Sequence, residues 1–437
     1  MSTNPIGLLR LLRTVRSCGL ALGCIALLMR LANAQTEPSL TWDQVKTRFE
    51  SVNPALKADA DAVDEMRAEE ITAFLRPNPQ VGATLDGTQI ARHNGVWQPL
   101  QGTFVSPNIS YLHERDRKRE LRRDSAHQGT EIARWEHEDL KRSLEYSLRI
   151  AFVTTLEAKV VLQMARDDLD YYDKIIAVSR ERFRAGDLAQ IDLDRIELLR
   201  VQYESELETA RVNLRTAKIQ LLQLIDDRMP VDQFDVSGAF AFSATLATLE
   251  EIRQAAIDAR PDLAAALKTV AQAETNHQLA IANGSTDPTF SGWYTWNSST
   301  NNPNAQQTVG GSISIPLRIF DRNQGEKQRT QIDIERSRQA SEAVQAQVFA
   351  DVDSAYALVE SNIVLLQPYQ SKYNDQALRV RDTVTYAYQH GGASLLDFLN
   401  AQSDYRQVQL AYVQLIGSYL DAVGQLNLAV GREVMHY

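Results

Sequence analysis

Phe183-Arg184-Ala185-Gly186-Asp187-Leu188-Ala189-Gln190-Ile191-Asp192-Leu193 returns about 205 residues later as Tyr388-Gln389-His390-Gly391-Gly392-Ala393-Ser394-Leu395-Leu396-Asp397-Phe398. Around each copy the chain reads as a long apolar-periodic run, a glycine turn and a second periodic run. The register holds downstream, where Ala217, Gln220 and Leu221 answer to Ala422, Gln425 and Leu426. Upstream, Asn53-Pro54-Ala55-Leu56 answers to Arg260-Pro261-Asp262-Leu263. A period this large is not that of a solenoid. It is one duplicated unit, which predicts pseudo-twofold symmetry within each chain.

The runs flanking the turns are helical. From Arg119 to Phe183 there is no proline and a single glycine, Gly129. Apolar or small residues recur at Leu140, Leu144, Leu148, Phe152, Thr155, Leu162, Ala165, Leu169, Tyr172 and Ile176, a helical period sustained far beyond average length. At 1.5 Å per residue this arm is ~95 Å long. The matching arm, Gly325 to Gln389, carries Pro368, which predicts a kink or a fresh segment there. The return run over 188–226 has Ile196, Leu199, Tyr203, Leu207, Ala210, Leu214, Ala217, Leu221 and Leu224 in a stripe. Steps of three and four average 3.5, the coiled-coil period. Its copy places Val408, Tyr412, Leu415, Tyr419, Ala422 and Leu426 alike. Each return helix spans ~57 Å, and single helices expected at 41–76 and 249–283 span ~52 Å each. Two short helices end to end thus match one long arm.

Strand signals are few and paired. Phe290, Gly292, Tyr294 and Trp296 alternate with Thr289, Ser291, Thr295 and Asn297, with Trp293 the one aromatic on the polar side. Over 308–317, Val309, Gly311, Ile313, Ile315 and Leu317 share one face, against Gly310, Ser312 and Ser314. The first copy is weaker: Val81, Ala83 and Leu85, then Val105, Pro107, Ile109 and Tyr111. Alternation over about ten residues with aromatics near an end is the transmembrane-barrel pattern. Four strands cannot close a barrel, and lipid tolerates no open edge. Several chains must pool their strands, and three give twelve, inside the range of such barrels. The expected fold is mainly α with a small β part, its strands pooled by trimerisation into a twelve-stranded barrel.

Composition fits an exported protein. Arg10, Arg13 and Arg16 precede a short apolar core from Cys18 to Leu31, and Ala32-Asn33-Ala34 supplies a small-x-small cleavage site. Residues 1–34 therefore read as a signal peptide. A rival reading has Ala21-Leu22-Gly23-Cys24 as a lipoprotein site with an acylated Cys24. Cleavage after Ala34 removes four arginines, taking the formal charge from −10 to −14, and both cysteines. The mature chain then lacks cysteine-based metal sites and catalysis, and its acidity argues against nucleic-acid binding. The seven histidines show no tight ligand spacing, and no phosphate loop, GxSxG or catalytic triad is present. No enzyme, cofactor or metal site is expected.

Function concentrates at the turns. Gly186 and Gly391 suit helix ends in the left-handed conformation, and Asp187 and Ser394 stand where the next helix needs an N-cap. Both tips project ~95 Å from the strands, and exposed Leu188 and Leu395 are expected to contact a partner. Asp397 lies one turn past the second tip, with Asp192 equivalent in the first. Around a threefold axis such carboxylates form an acidic constriction, although a solvated helix face accounts for a lone Asp equally well.

These residues resemble one family, the trimeric TolC-like outer-membrane efflux factors of Gram-negative bacteria, over nearly the whole mature chain. Asn53-Pro54-Ala55-Leu56, Arg76-Pro77-Asn78-Pro79, Arg260-Pro261-Asp262-Leu263 and, above all, Ser314-Ile315-Pro316-Leu317-Arg318-Ile319-Phe320-Asp321-Arg322-Asn323-Gln324-Gly325-Glu326 resemble its heavy-metal (cobalt–zinc–cadmium) branch. The resemblance implies a first repeat over 35–226 (strand pair 80–112, hairpin 119–226) and an equatorial segment over 227–248. A second repeat follows over 249–437 (strand pair 288–319, hairpin 325–430). It further implies a homotrimeric duct in outer-membrane lipid, its β-barrel continuous with a periplasmic α-helical barrel, docked to a periplasmic adaptor and an inner-membrane pump of the resistance-nodulation-division type. The family's gate pattern, like Val-Asp-Val-Leu-Asp, falls on Leu396-Asp397-Phe398-Leu399-Asn400: Asp397 matches the first acid and Asn400 replaces the second. The adaptor-docking turns fall on Gly186, Asp187 and Leu188 and on Gly391, Gly392 and Ala393. Drug or organic-solute efflux, protein secretion, and a channel-less periplasmic scaffold are the alternatives.

Overall fold

The computed structural model describes residues 39–297 and 306–435; the expected leader, Cys24, most of the loop between the second strand pair, and His436 lie outside them. The chain runs α1 (Trp42–Val52), α2 (Pro54–Ala73), β1 (Gln80–Asp86), β2 (Phe104–Leu112), α3 (Lys118–Ala185) and α4 (Gln190–Leu224). It repeats as α5 (Leu249–Ala259), α6 (Pro261–Asn283), β3 (Thr289–Asn297), β4 (Gln307–Ser314), α7 (Gln324–Pro368), α8 (Asn374–Gln389) and α9 (Leu395–Val430).

Single helices at 41–76 and 249–283 are not what forms. Each breaks before a proline, because the residue ahead of proline is pushed out of the helical region. Asn53 (φ −58°, ψ 121°) and Arg260 (φ −69°, ψ 116°) are extended, and Pro54 and Pro261 start new helices. The Asn53 side chain accepts from the amides of Ala55 and Leu56. Arg260, nearly buried, donates to Asp262, Asp351 and the Ala429 carbonyl. At Pro368 the second arm does not stop. It passes through one π-helical turn, Tyr369–Tyr373, into α8, whereas α3 is unbroken over 68 residues.

The helices form one layer of two tiers. In the tier nearer the strands the packing order is α2, α3, α6, α7; in the other it is α4, α3, α9, then α7 and α8. The arms α3 and α7–α8 run through both tiers, and the short helices fill the spaces. Where the tiers meet, one core joins Val45, Phe49, Leu148, Phe152, Leu221 and Phe234, and a second joins Ile252, Val348, Val352, Tyr419, Val423 and Leu426. The linking segment adds a short parallel bridge, Leu40 with Val236.

All four strands form one antiparallel sheet in the order β1-β2-β3-β4. β4 ends at Ser314 rather than 317, because its last partner, Thr289, is where β3 begins. The sheet joins the helices through buried Lys118, whose ammonium binds Asp287 at 2.6 Å and the Ser285 carbonyl.

Candidate functional site: the two-faced sheet and the paired tips

Strand register decides what the sheet presents. Val81 pairs with Ile109, Ile109 with Gly292, and Gly292 with Gly311; two rungs away on the same face, Leu85 pairs with Val105 and Val105 with Trp296. Phe290 faces both Tyr111 and Ile313. The four alternations therefore fall into phase and make one apolar face across the sheet. It is uncovered: Val81 is 81% and Val309 85% exposed, with Ile109, Phe290, Trp296 and Ile313 also exposed. The opposite face carries Ser106, Asn108, Ser110, Ser291, Thr295, Thr308 and Ser312, and the Ser106 and Thr295 hydroxyls hydrogen-bond at 2.7 Å. Trp293, the aromatic on this polar side, lies over Gly310, where an added Cβ would come within 2.5 Å of the indole. β2 and β3 have nine residues each, ~30 Å of extended chain. Tilted by ~40° they cover the ~25 Å apolar band of an outer-membrane barrel. No helix among the described residues is long and apolar enough to cross a membrane. β1 and β4 leave their outer edges unpaired.

At the far end the two tips pack together. Gly186 (φ 85°) and Gly391 (φ 77°) turn in the left-handed region, where a side chain is strained. Arg182 donates to the Tyr388 carbonyl at 2.9 Å, tying one tip to the other. Beneath them Ile175, Ile176, Ile196, Tyr388, Leu395 and Phe398 form a small core, with Tyr388 stacked on Phe398 at 4.9 Å. Leu395 is thus core, not contact surface, and Leu188 is half-buried; exposed apolar groups near the tips include Phe183, Ile191 and Leu396.

Ser394 caps α9 as expected, but Asp187 caps nothing, because α4 begins three residues later with Ala189 at its N-cap. Asp397 completes a capping box. Its carboxylate accepts from the Ser394 amide (3.1 Å) and hydroxyl (2.6 Å), and its own amide donates to the Ser394 hydroxyl. The Ser394 hydroxyl and amide hold the Asp397 carboxyl below its usual range. Asn400 is exposed one turn on, Asp192 is half-buried in the first turn of α4, and Asp187, Gly391 and Gly392 are exposed. Ala393, half-buried, packs on the tip core.

Two polar clusters in the layer carry no one-residue signal in the sequence. The Arg406 guanidinium on α9 binds Asp168 of α3 at 3.4 Å and Glu206 of α4, and lies 4.9 Å over the Tyr203 ring. Further along the α3–α9 seam, Glu157 lies over Gly417, and burial pushes the Asp421 carboxyl up to about 6. Burial, then the charge of Asp421, raises Glu157 as well. A repeat comparison hints at both, since Arg406 and Asp421 stand where the first copy has Val201 and Thr216.

The family model described as outer membrane efflux protein matches residues 252–432, within the second repeat. The pyoverdine export outer membrane protein OpmQ of Pseudomonas putida is 24% identical over 392 residues, 86% of this chain and 82% of that protein. The cobalt-zinc-cadmium resistance protein CzcC of Cupriavidus metallidurans is 22% identical over 397 residues, 86% of each. Among solved structures, CusC superposes with a TM-score of 0.75 at 18% identity, covering 90% of this chain and 92% of that one. The outer membrane protein VceC from Vibrio cholerae gives 0.72 at 15%, covering 90% and 97%. The fold match spans both repeats, and the second repeat carries the sequence pattern of the outer membrane efflux protein family.

Proposed function

We propose that three copies of this chain close into a passive efflux duct through the outer membrane. β4 of one copy pairs with β1 of the next, giving a twelve-stranded barrel, and the helical layers join below it into a twelve-helix tube. The observation that carries this reading is the sheet: an exposed apolar face, a polar face behind it, and two unpaired edges. An open edge in lipid leaves backbone groups unsatisfied at several kcal/mol each, so closure is the low-energy solution. The duct supplies no energy and performs no chemistry; it receives substrate from a periplasmic adaptor and an inner-membrane pump of the resistance-nodulation-division type. The adaptor docks at Gly186, Asp187, Leu188, Gly391, Gly392 and Ala393, with exposed Ile191 and Leu396 beside them. Asp397, Asn400 and Asp192 line the constriction at the tips.

The cargo follows the pump. Heavy-metal cations are the reading that the string Ser314 to Glu326 supports. Likeness to a pyoverdine exporter favours an organic chelate as the second. Deleting the gene and scoring zinc and cobalt tolerance beside siderophore release separates them: metal sensitivity alone supports the first.

Planar-bilayer conductance tests the duct. Asp397→Ala would uncap α9 as well as remove charge, so Asp397→Asn, which keeps an oxygen acceptor, is the better variant. The wild type should conduct weakly and Asp397→Asn severalfold more. Equal conductance would move the gate elsewhere, and failure of a verified trimer to insert would end the duct reading.

A further inference from the structure

A groove lies over α3 where the two tiers meet, and the duct proposed above makes no use of it. Its upper part is a cavity of about 720 Å³, floored by Ala60, Val63, Ala259, Pro261 and Gly431 and walled by Trp135. Its lower part, about 310 Å³, lies between α1 and the end of α9. The two are continuous, because Glu138, Pro261 and Gly431 line both. These volumes fall at the size of small-ligand sites.

The repeat's own breaks build the floor. α3 packs between α2 and α6, and the turn at Arg260 brings Ala259 and Pro261 against it. α9 ends there at Gly431 (φ 85°), where an added Cβ would lie 2.9 Å from the Ala259 carbonyl. Only small side chains therefore floor the upper cavity. Trp135, midway along a packed helix, stays 37% exposed at its wall. About 21 Å further along α3, Arg149 lies 4.2 Å over the ring of Trp42. The lower cavity thus has an aromatic wall of its own.

The polar groups around the indoles come as donor–acceptor pairs. Arg67 binds Asp64 at 2.5 Å, Arg134 binds Glu131, and Lys46 binds Glu145 at 2.9 Å. His137 Nδ1 donates to Asp59 at 2.8 Å. Such pairs decide the ligand class. An anion would meet carboxylates as often as cations, and a hydrocarbon would strip water from the ion pairs and replace none of its hydrogen bonds. A hydroxyl donates to the carboxylate and accepts from the cation beside it, so it suits both members of a pair. An indole offers its flat apolar surface to the C–H face of a pyranose ring. The small apolar floor beside Trp135 has room for the methyl of an acetamido group.

We propose that this groove binds an oligosaccharide of N-acetylated amino sugars, with one ring on Trp135 and the strand running toward Trp42. Binding there ties the helical layer to a glycan strand. The groove opens over α3 and not at an edge of the layer, so the proposal stands whether or not copies join.

Calorimetry on the detergent-solubilised full chain tests it, with the tetramer of N-acetylglucosamine as probe and maltotetraose beside it. The N-acetylated tetramer should bind saturably, and maltotetraose at least tenfold more weakly. Trp135→Ala should weaken binding at least tenfold. Ala60→Leu, which fills the floor and spares the indole, should do the same. Trp97→Ala, at a 49% exposed tryptophan of the β1–β2 loop, should change nothing, and an unchanged Tm shows that each variant is folded. No saturable binding by the wild type, or binding that neither Trp135→Ala nor Ala60→Leu weakens, overturns the site. Equal affinity for maltotetraose overturns the acetamido assignment. The readout is binding and not conductance, so its failure and that of the duct are told apart.

Discussion

The two return helices, α4 and α9, descend from one duplicated template and live in different environments. α4 packs chiefly on α3 and borders the open edge, while α9 lies inside the layer against α3, α5, α7 and α8. The difference shows in what each helix tolerates. α4 keeps a second, solvent-facing apolar series, Ile191, Leu198, Val212 and Ile219. α9 buries Ile416, Tyr419, Leu420, Val423 and Leu426 on more than one side, and it places Arg406 and Asp421 in the seam with α3. Duplication supplied the pattern, and position in the layer decided which groups could be charged, capped or left bare.

Breaking that contrast at its strongest point means removing Arg406. Arg406→Ala leaves Asp168 and Glu206 facing each other in a half-buried site. Loss of one partner from a buried pair costs 3–5 kcal/mol; with these side chains 15–30% exposed, about 2 kcal/mol is expected. Val201→Ala, the equivalent position on α4, should cost well under 1 kcal/mol. Thermal melts of the detergent-solubilised protein compare them, and equal shifts would abolish the distinction.

Asp421 gives the contrast a pH dependence. Its folded pKa, about 6, lies above the ordinary carboxylate value of 3.8, so the folded state binds the proton more tightly than the unfolded one. Folding is therefore favoured as pH falls from about 6 toward 3.8 and disfavoured above about 6. Asp421→Asn should raise Tm by a few degrees at pH 7.5, with the gain vanishing by pH 4. A gain independent of pH would assign the effect to packing instead of charge.

The caps sharpen the comparison at smaller scale. α9 opens with the Ser394–Asp397 box, whereas Ala189 opens α4 with no side-chain cap. Ser394→Ala should cost about 1 kcal/mol, and Ala189→Ser should return about half that to the first hairpin. Hydrogen exchange at residues 190–194 and 395–399 reads both locally: protection should fall in the second hairpin and rise in the first. No change at either helix would show that the tip core alone holds the ends.

Local chemistry made much of this protein legible in its sequence. Sustained 3.5–3.6-residue periodicity specifies long helices wherever they pack, glycine marks the left-handed turns, and two-residue alternation marks strands with one apolar face. The repeat carried these readings from the clear second copy to the weaker first, down to the pairing of Ser394 with the start of α9. Tertiary structure decided the rest, because it depends on groups far apart in the chain. It made Leu395 core by setting Ile175, Ile176 and Ile196 against it, and it left Asp187 without a helix to cap. It turned the proline at 368 into a π turn, since α9 packs along the arm on both sides of the break, against α7 before it and α8 after it. It brought Arg406 between Asp168 and Glu206, residues 200 or more positions away along the chain. Periodicity says that a helix has an apolar stripe; only packing says which neighbour covers it, and which stripe is left uncovered.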